Sequence, residues 1–139
     1  MHWQEDRSGK IEPRDAVGRL SGQRVGYLGL TVNALPAVVP VPFGRLDGRV
    51  VIRAAPKGVL ARSTAGSVVS FLACDVADDL SRGWSTTVTG VATQISAPAE
   101  LAACAELGLP GSDDDIFLGI SMDLVNGREY PMVDPLASD

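Results

Sequence analysis

The stretch RVGYLGLTVNALPAVVPVPF, residues 24–43, decides the fold. Through residues 24–32 the residue type alternates with a period of two, which is typical of a strand that buries one face. Residues 33–36, NALP, have the composition of a tight turn, and residues 37–43, AVVPVPF, return as a second apolar strand. The sequence therefore predicts an antiparallel hairpin.

The second strand of this hairpin carries two prolines, Pro40 and Pro42. Because they lie two residues apart, both missing N–H groups point toward the same lateral neighbour. A strand on that side receives no hydrogen bonds from these positions. We therefore expect an edge strand, a bulge or a segment that faces something other than a full ladder.

More strands follow along the chain. Asp47-Gly48 predicts a hairpin turn that leads into RVVIRA at residues 49–54. GSVVSFLAC, residues 66–74, gives a fourth strand, and WSTTVTGVATQI, residues 84–95, gives a long fifth strand with Gly90 where a curved sheet can bend. The length of this fifth strand suggests a barrel or a strongly coiled sheet.

Short helices interrupt the strands. Proline, first-turn acid and glycine signals predict them at residues 13–22, 59–63 and 96–108. The last two strands, within residues 116–132, are predicted to be joined by a hairpin turn at Asn126-Gly127. Because the connections are short, we predict a mostly β fold, an antiparallel β-barrel with short helices at its ends.

The length and charge of the chain set its class. Its 139 residues make one domain, predicted as a flexible N-terminal arm over residues 1–12, a folded domain over residues 13–131 and a polar tail over residues 132–139. The net charge of -5 argues against a nucleic-acid or anionic-membrane partner. There is neither an apolar run of about 20 residues nor a signal-peptide apolar region, so we expect a cytoplasmic protein.

The residues that usually carry catalysis are scarce. The only histidine is His2, so Ser-His-Asp and Cys-His catalysis and the usual zinc sites lack an imidazole in the folded body. Cys74 and Cys104 lie in apolar contexts without CxxC spacing and are predicted to be reduced, buried thiols. The acidic run at residues 113–115 is predicted to be a solvated turn, and no metal site is expected. If the protein does chemistry, we expect a cofactor to bring it.

Two cations flank the end of the third predicted strand. Arg53 alternates to the face of Arg49 and Val51, opposite the core position Ile52, and Lys57 follows a proline in the loop before a short helix. A helix start with free N–H groups beside an arginine and a lysine can hold an anion. On the residues alone, the two cations are either solvated surface charges or a phosphate site.

The order of these motifs resembles the pyridoxamine phosphate oxidase-like family of small flavin-binding split-barrel proteins. The resemblance is carried by RVGYLGLTVNALPAVVPVPFGRLDGRVVIRAAPKGVLARS and by GSVVSFLACDVADDLSRGWSTTVTGVA, and it covers residues 13–131. It implies a six- to seven-stranded antiparallel split barrel that forms a homodimer. It also implies flavin mononucleotide (FMN) in grooves at the subunit interface.

The resemblance assigns cofactor-binding roles to particular residues. It implies that Pro40, Val41 and Pro42 line the flavin ring through their backbone, and that Arg53 and Ala54 lie beside the phosphate. The chain departs from the family pattern here, because Pro42 replaces an asparagine and so removes a backbone donor. Ala54 also replaces a threonine and so removes a hydroxyl.

Three further residues belong to the implied site. Trp84 and Ser85 match the tryptophan-serine pair near the cofactor, with a core role for Trp84 as the alternative. The usual lysine position falls near Val59, so Lys57 stands two residues early. Beyond these, Tyr27 and Tyr130 are predicted to pack rather than to touch a substrate. Arg128 is either a surface residue or a contact to a ligand of a partner subunit.

The implied function is flavin chemistry. The resemblance implies an FMN-dependent oxidoreductase that acts on an unknown small molecule, with no catalytic residue that the sequence can name. The alternative is a non-catalytic or FMN-free member that binds another ligand at the dimer interface, a deazaflavin or haem, or that only dimerises.

Overall fold

The computed structural model describes residues 9–131 of the chain. Its strands and helices alternate irregularly, with a 3-10 turn at Leu20–Gly22 after the first helix. In chain order they are β1 (Gly9–Ile11), α1 (Pro13–Arg19), β2 (Val25–Val32), β3 (Leu35–Pro42), β4 (Gly44–Leu46), β5 (Arg49–Ala54), α2 (Val59–Thr64), β6 (Val68–Val76), β7 (Arg82–Gln94), α3 (Pro98–Ala105), β8 (Ile116–Ser121) and β9 (Leu124–Pro131).

The strands form an antiparallel sheet that is rolled into a barrel. Its order is β3-β2-β6-β7-β8-β5-β4, and β3 runs into β4 through Phe43, so that the two ends of this order are joined along the chain. The long strand β7 pairs with β6 along one edge and with β9 and then β8 along the other. The predicted mostly β barrel with short helices is confirmed, with two extra short strands, β1 and β4.

The hairpin predicted from residues 24–43 is present. β2 and β3 pair from Val32↔Leu35 to Val25↔Pro42, and the two turn residues, Asn33 and Ala34, have φ values of 51° and 67°. Positive φ at both positions is the geometry of a type I′ turn, whose twist matches that of the strands. β3 pairs with β2 alone among the strands of residues 9–131, so it is the edge strand that its prolines predict.

The predicted flexible arm, residues 1–12, contains a three-residue strand. Gly9–Ile11 form β1, which pairs with β9 in the register Gly9↔Glu129 to Ile11↔Gly127, and the Ile11 side chain is buried. Sequence alternation cannot reveal a strand of three residues. Residues 1–8 of the predicted arm and the predicted tail, residues 132–139, lie outside the described residues.

The predicted turn at Asn126-Gly127 is wrong. β9 runs straight through both residues, and the chain reverses at residues 122–123 instead. A Cβ at Gly127 would lie 2.6 Å from the Cβ of Ala16 in α1. Gly127 therefore allows α1 to lie close to the sheet. The glycine serves this packing and not a turn.

Two apolar clusters stabilise the barrel. The main core fills its interior, where Leu28, Ile52, Phe71 and Leu118 are fully buried. A smaller cluster lies on the other side of β5 and β8, beneath α3, and consists of Val51, Ile95, Cys104, Leu109 and Phe117. The prediction of a buried thiol is confirmed for Cys104, whereas Cys74 on β6 is only half-buried.

Candidate functional site

One face of the sheet is exposed yet carries no charge. Along β2, β3, β6 and β7 buried residues alternate with exposed or half-buried ones, and directly paired residues share a side of the sheet. We call the outward residues of these four strands, together with Leu124 and Asn126 of β9, the uncharged face; the next outward residue of β9, Arg128, lies opposite Ser85 and marks its margin. The uncharged face consists of Val25, Tyr27, Gly29, Thr31, Pro36, Val38, Pro40, Pro42, Val68, Ser70, Leu72, Cys74, Ser85, Thr87, Thr89, Val91, Leu124 and Asn126.

The composition of this face is unusual for a surface in contact with water. Charged residues make up 21% of the chain, but the uncharged face has none. Val38, Val68 and Leu124 are 71%, 69% and 68% exposed. An exposed apolar patch without charges is typical of a surface that binds something. Tyr27, predicted to pack, is also exposed on this face.

The free edge of β3 borders this face and lacks hydrogen-bond donors. The two-residue turn makes Val32 and Leu35 a hydrogen-bonded pair, so every second residue from Pro36 to Pro42 directs its backbone polar groups away from β2. Three of these four residues are prolines, and only Val38 has an N–H group to donate. A ligand along this edge therefore meets four carbonyl acceptors and one donor.

Two adjoining depressions connect the uncharged face to α2. The first, of about 320 Å³, lies on the face and is lined by residues of β2, β3 and β6 that include Gly29, Thr31 and Val38. The second, of about 400 Å³, is lined by Thr31, Val32, Asn33, Val59, Arg62 and Ser63. Thr31 lines both, so the two depressions adjoin. We call the two together the groove, whose first part is apolar and whose second part is cationic and bears hydroxyl groups.

Arg53 lies away from this groove, beneath the loop between α3 and β8. Its Nη1 donates to the carbonyl oxygen of Leu109 (2.9 Å) and its Nη2 to that of Ser112 (2.6 Å). Its Nε lies 3.3 Å from Oδ2 of Asp115, an ion pair whose N–H is not aligned for a hydrogen bond. The two side chains are only 19% and 13% exposed. Arg53 is therefore not a solvated surface charge, and it closes a loop of its own chain.

Asp115 is largely buried, so the prediction of a solvated acidic turn at residues 113–115 is wrong for this residue. Its carboxylate accepts a hydrogen bond from the backbone N–H of Ser112 at 2.9 Å in addition to the ion pair with Arg53. Asp113 and Asp114 are exposed, as predicted. Within residues 9–131 no three carboxylate, thiol or imidazole groups lie close enough together to hold a metal ion.

Two cations lie on or just before α2, the helix that borders the groove: Lys57 and Arg62. Lys57 is exposed in the turn that Gly58 closes by donating its N–H to the carbonyl oxygen of Ala55 (3.1 Å). Arg62 lies within α2 and lines the groove with Ser63. Sequence reasoning missed both Arg62 and Ser63. The available signal was spacing, because Arg62 follows Val59 by three residues and so lies one helical turn further along α2.

The remaining predicted site residues do not come together. Pro40, Pro42 and Ser85 lie on the uncharged face, whereas the side chains of Val41 and Ala54 are buried in the main core. Only the backbone of Val41 and Ala54 is left to contact a ligand. Ser85 lies across three strand pairings from β3, about 14 Å away.

Trp84 points to the opposite side of β7 from Ser85. Its ring lies at the end of the barrel, 5.6 Å from the guanidinium carbon of Arg19, which pairs with Glu129 at 2.6 Å. These residues line a separate hollow of about 260 Å³. The tryptophan and serine predicted as one pair therefore face two different surroundings.

The cysteines differ in their chemistry. Burial raises the pKa of the Cys104 thiol, with a smaller lowering from nearby Arg49, so this group stays protonated at neutral pH. Arg49 itself pairs with Glu100 of α3 at 2.5 Å. Cys74 lies on the uncharged face opposite Ser85.

Comparison with known proteins identifies the family. A family model described as pyridoxamine 5'-phosphate oxidase matches residues 12–129. The chain belongs to this family. Rv0080, an uncharacterized protein of Mycobacterium tuberculosis, is 34% identical over 129 residues, which cover 89% of this chain and 81% of that protein.

Solved structures show that the fold is shared. The FAD binding protein from Mycobacterium smegmatis superposes with a TM-score of 0.78 at 22% identity, covering 88% of this chain and 97% of that chain. The FAD and Heme binding protein from the same organism gives a TM-score of 0.66 at 18% identity over 90% of this chain and 73% of that chain. The predicted split-barrel fold and the predicted family are confirmed.

No helix within residues 9–131 is long and apolar enough to cross a membrane.

Proposed function

We propose that this protein is a flavin-dependent oxidoreductase that binds FMN in the groove beside its uncharged face, between two copies of the chain. The observation that carries the proposal is the uncharged face itself. Apolar side chains such as Val38 and Val68 are exposed there without a charged neighbour on the same face. Membership of the pyridoxamine 5'-phosphate oxidase family supports a flavin as the ligand.

A second copy of the chain is the partner that suits this face. A two-fold dimer places the same patch of each subunit against the other, so a patch must complement itself. A face with carboxylates or cations at its centre would repel its copy, whereas this one buries valines, prolines and threonines. The pair Ser70 Oγ and Thr89 Oγ1, 3.0 Å apart, already satisfies two of its hydroxyl groups.

The groove offers suitable contacts to each part of FMN. A flavin ring system is planar and largely apolar, with polar atoms along one edge, and the apolar end of the groove is lined by Gly29, Pro36 and Val38. The phosphate suits the other end, where Arg62 supplies charge and Ser63 and Thr31 supply hydroxyl donors. Lys57 lies in the exposed turn just before α2, two residues from Val59, which lines this end.

A bound flavin supplies the redox chemistry, because it accepts or gives a hydride. The residues of this chain would position it and keep water away. The edge of β3 gives a single backbone donor, from Val38, and the uncharged face carries no carboxylate, imidazole or amine for proton transfer. We therefore place the chemistry on the flavin and the substrate, and positioning on the protein.

The prolines of β3 favour one alternative. Pro40 and Pro42 remove donors from the edge beside the groove, and Ala54 adds no hydroxyl, so a ring that needs fewer hydrogen bonds is also suited to this site. A deazaflavin or haem is then the ligand, or the protein dimerises without a cofactor. For haem, residues 9–131 contain no histidine, so Cys74 is the soft ligand atom on the face. Neither Cys74 nor Cys104 forms a disulfide, which is typical of proteins in a reducing compartment such as the cytoplasm.

Titration with FMN, riboflavin, a deazaflavin and haem tests these alternatives. The proposal expects quenching of flavin fluorescence that saturates with FMN, and tighter binding of FMN than of riboflavin, which lacks the phosphate. Saturable binding of haem or a deazaflavin with no response to FMN would replace the first candidate by the second. Turnover is then sought by reducing the bound flavin with a nicotinamide cofactor and following its reoxidation by candidate acceptors.

A further inference from the structure

The sheet that carries the uncharged face ends in two cations. β1 pairs with β9 and β9 with β7, so that Lys10 lies opposite Arg128, and Arg128 lies opposite Ser85. Side chains that are directly opposite in antiparallel strands share a face of the sheet. Lys10 and Arg128 therefore lie on the same side of the sheet as the uncharged face, at its margin beside Ser85. We call these two residues the cationic corner.

The cationic corner is electrostatically unfavourable within the described chain. Like charges directly opposite each other on neighbouring strands destabilise a sheet. Within residues 9–131 neither cation forms an ion pair. The adjacent carboxylate, Glu129, points to the other side of the sheet and pairs there with Arg19 at 2.6 Å. Two positive charges therefore lie side by side on one side of the sheet, and the carboxylate next to Arg128 in sequence lies on the other.

A second copy of the chain does not supply the missing negative charge from the same surface. In a two-fold dimer each uncharged face meets its own copy, and this face contains no aspartate or glutamate. A cation at the margin of a buried interface needs an anion, because burial of an unpaired charge is costly. A ligand that carries an anion would supply the missing charge at this margin.

The neighbours of the corner can donate to such an anion. Ser85 lies opposite Arg128, and Tyr130 follows two residues further along β9, so that both residues lie on the same side of the sheet as Arg128. Two cations and two hydroxyl donors are the groups that bind a phosphate or a carboxylate.

This corner is distinct from the cationic end of the groove beside α2. Thr31 of that groove lies on β2, three strand pairings from β9, or about 14 Å across the sheet. Along β7, Ser85 at the corner and Val91 at the other end of the uncharged face lie roughly 20 Å apart. One small ligand does not reach from Arg62 to Arg128 within a single subunit.

We propose that Lys10 and Arg128 form an anion site for the phosphate or carboxylate of a small molecule bound at the uncharged face. That molecule is an anionic substrate, or a cofactor whose other end is held by the partner subunit. The inference rests on the proposed role of the uncharged face as the dimer interface, but it does not require that the ligand is FMN.

The test compares the full-length protein with K10Q/R128Q and with R14Q/R45Q. The control removes two exposed cations from α1 and β4, so both variants lose the same charge. Without added anion at low salt, K10Q/R128Q should melt about 1–3 °C above the unmodified protein, because the repulsion is gone. R14Q/R45Q should not show this rise.

Pyrophosphate supplies the anion in the second measurement. At matched ionic strength against sodium chloride, pyrophosphate should raise the melting temperature of the unmodified protein and of R14Q/R45Q. K10Q/R128Q should lose at least half of that rise. An unchanged response to pyrophosphate in K10Q/R128Q would overturn the proposal. So would dissociation of its dimer with the pyrophosphate response intact, since the cations would then bind carboxylates of the partner.

Flavin titrations separate the sources of the anion. If the preference for FMN over riboflavin collapses in K10Q/R128Q, the corner holds the cofactor phosphate. If that preference stays while the pyrophosphate response is lost, the corner holds the anion of a separate substrate. Failure of the unmodified protein to bind any flavin would defeat the proposed function, while the pyrophosphate result would still decide the anion site.

Discussion

Two outer surfaces of the same barrel are treated in opposite ways. The outer side of β5 and β8 is covered by α3 and its following loop, which bury Val51, Cys104 and Phe117. The ion pairs Arg49–Glu100 and Arg53–Asp115 hold this cover in place. Within residues 9–131, the uncharged face on β3, β2, β6 and β7 has neither a helix above it nor charged residues upon it.

This difference shows how the outer surface of a barrel can reveal where a partner binds. The outside of a barrel is either covered by its own chain or made polar enough for water, and charged residues are the usual means. The α3 side follows the first course with its own residues. The uncharged face follows neither course within residues 9–131, and the proposed second copy of the chain would cover it. The predictions below test whether the two surfaces differ in this way.

The largest effect is expected from a charge at the centre of the uncharged face. Val38→Asp should raise the dissociation constant of the dimer by at least about 100-fold, because each subunit then buries an unpaired carboxylate. Val38 is 71% exposed in the single chain, so the variant should still fold. Sedimentation equilibrium measures the dissociation constant.

Leu80→Asp is the matched control, since Leu80 is also an exposed apolar residue (61%) but lies in the loop between β6 and β7. It should dimerise like the unmodified protein. Equal weakening by both substitutions would mean that general surface charge, and not this face, controls association.

The next effect concerns the covered side. Arg53→Ala should lower the free energy of unfolding by about 2–4 kcal/mol, because the carboxylate of Asp115 and two carbonyl oxygens lose their partner in a largely buried place. Urea denaturation measures this loss. Lys57→Ala, at an exposed position four residues on, should change stability by less than about 0.5 kcal/mol.

Arg53→Ala also tests the role at the flavin phosphate that the family resemblance implies for Arg53. If Arg53 binds the flavin phosphate, Arg53→Ala reduces the affinity for FMN and leaves that for riboflavin unchanged at a temperature where the variant is folded. Our account expects both affinities to change together, as they would after a loss of packing.

A smaller effect is expected at the groove. Arg62→Gln should weaken FMN binding by about 10-fold, the usual contribution of one charge-assisted contact to a phosphate. Riboflavin binding should be unaffected, and fluorescence titration measures both. Arg45→Gln, on the distant strand β4, serves as the control. A normal preference for FMN in Arg62→Gln would remove Arg62 from the phosphate site.

The smallest effect is expected at the edge of β3. Pro40→Ala should cost only about 0.5 kcal/mol of stability through the added freedom of the unfolded chain, because the nitrogen of residue 40 faces the free edge. Val39→Pro, one residue away, should cost about 3 kcal/mol, since its N–H donates to β2. Urea denaturation of both variants checks the orientation of the edge; similar losses would show that it is inverted.

The sequence predicted the local parts of the fold well. Alternation and turn chemistry give the hairpin of β2 and β3, and the spacing of Pro40 and Pro42 gives its position at the edge of the sheet. The predictions fail where a residue's role depends on a contact with a residue far away in the sequence. Gly127 has the composition of a turn because Ala16 lies against it, and β1 exists because β9 is beside it.

The candidate site depended still more on distant contacts. Alternation correctly placed Arg53 opposite the core, but its partners, Leu109, Ser112 and Asp115, lie more than 50 residues later in the chain. Family resemblance likewise grouped Trp84 with Ser85, although successive residues of a strand face opposite ways.

The most direct test of the account is to ask whether flavin and dimer occur together. Sedimentation of the unmodified protein with saturating FMN, followed at a flavin wavelength, should show the colour moving with a species of twice the 14.5 kDa mass of the chain. Val38→Asp should shift both the protein and the colour, giving a monomer that no longer retains FMN. Flavin that moves with a monomer, or a dimer that takes up no flavin, would contradict the claim that the uncharged face is where two copies and a cofactor meet.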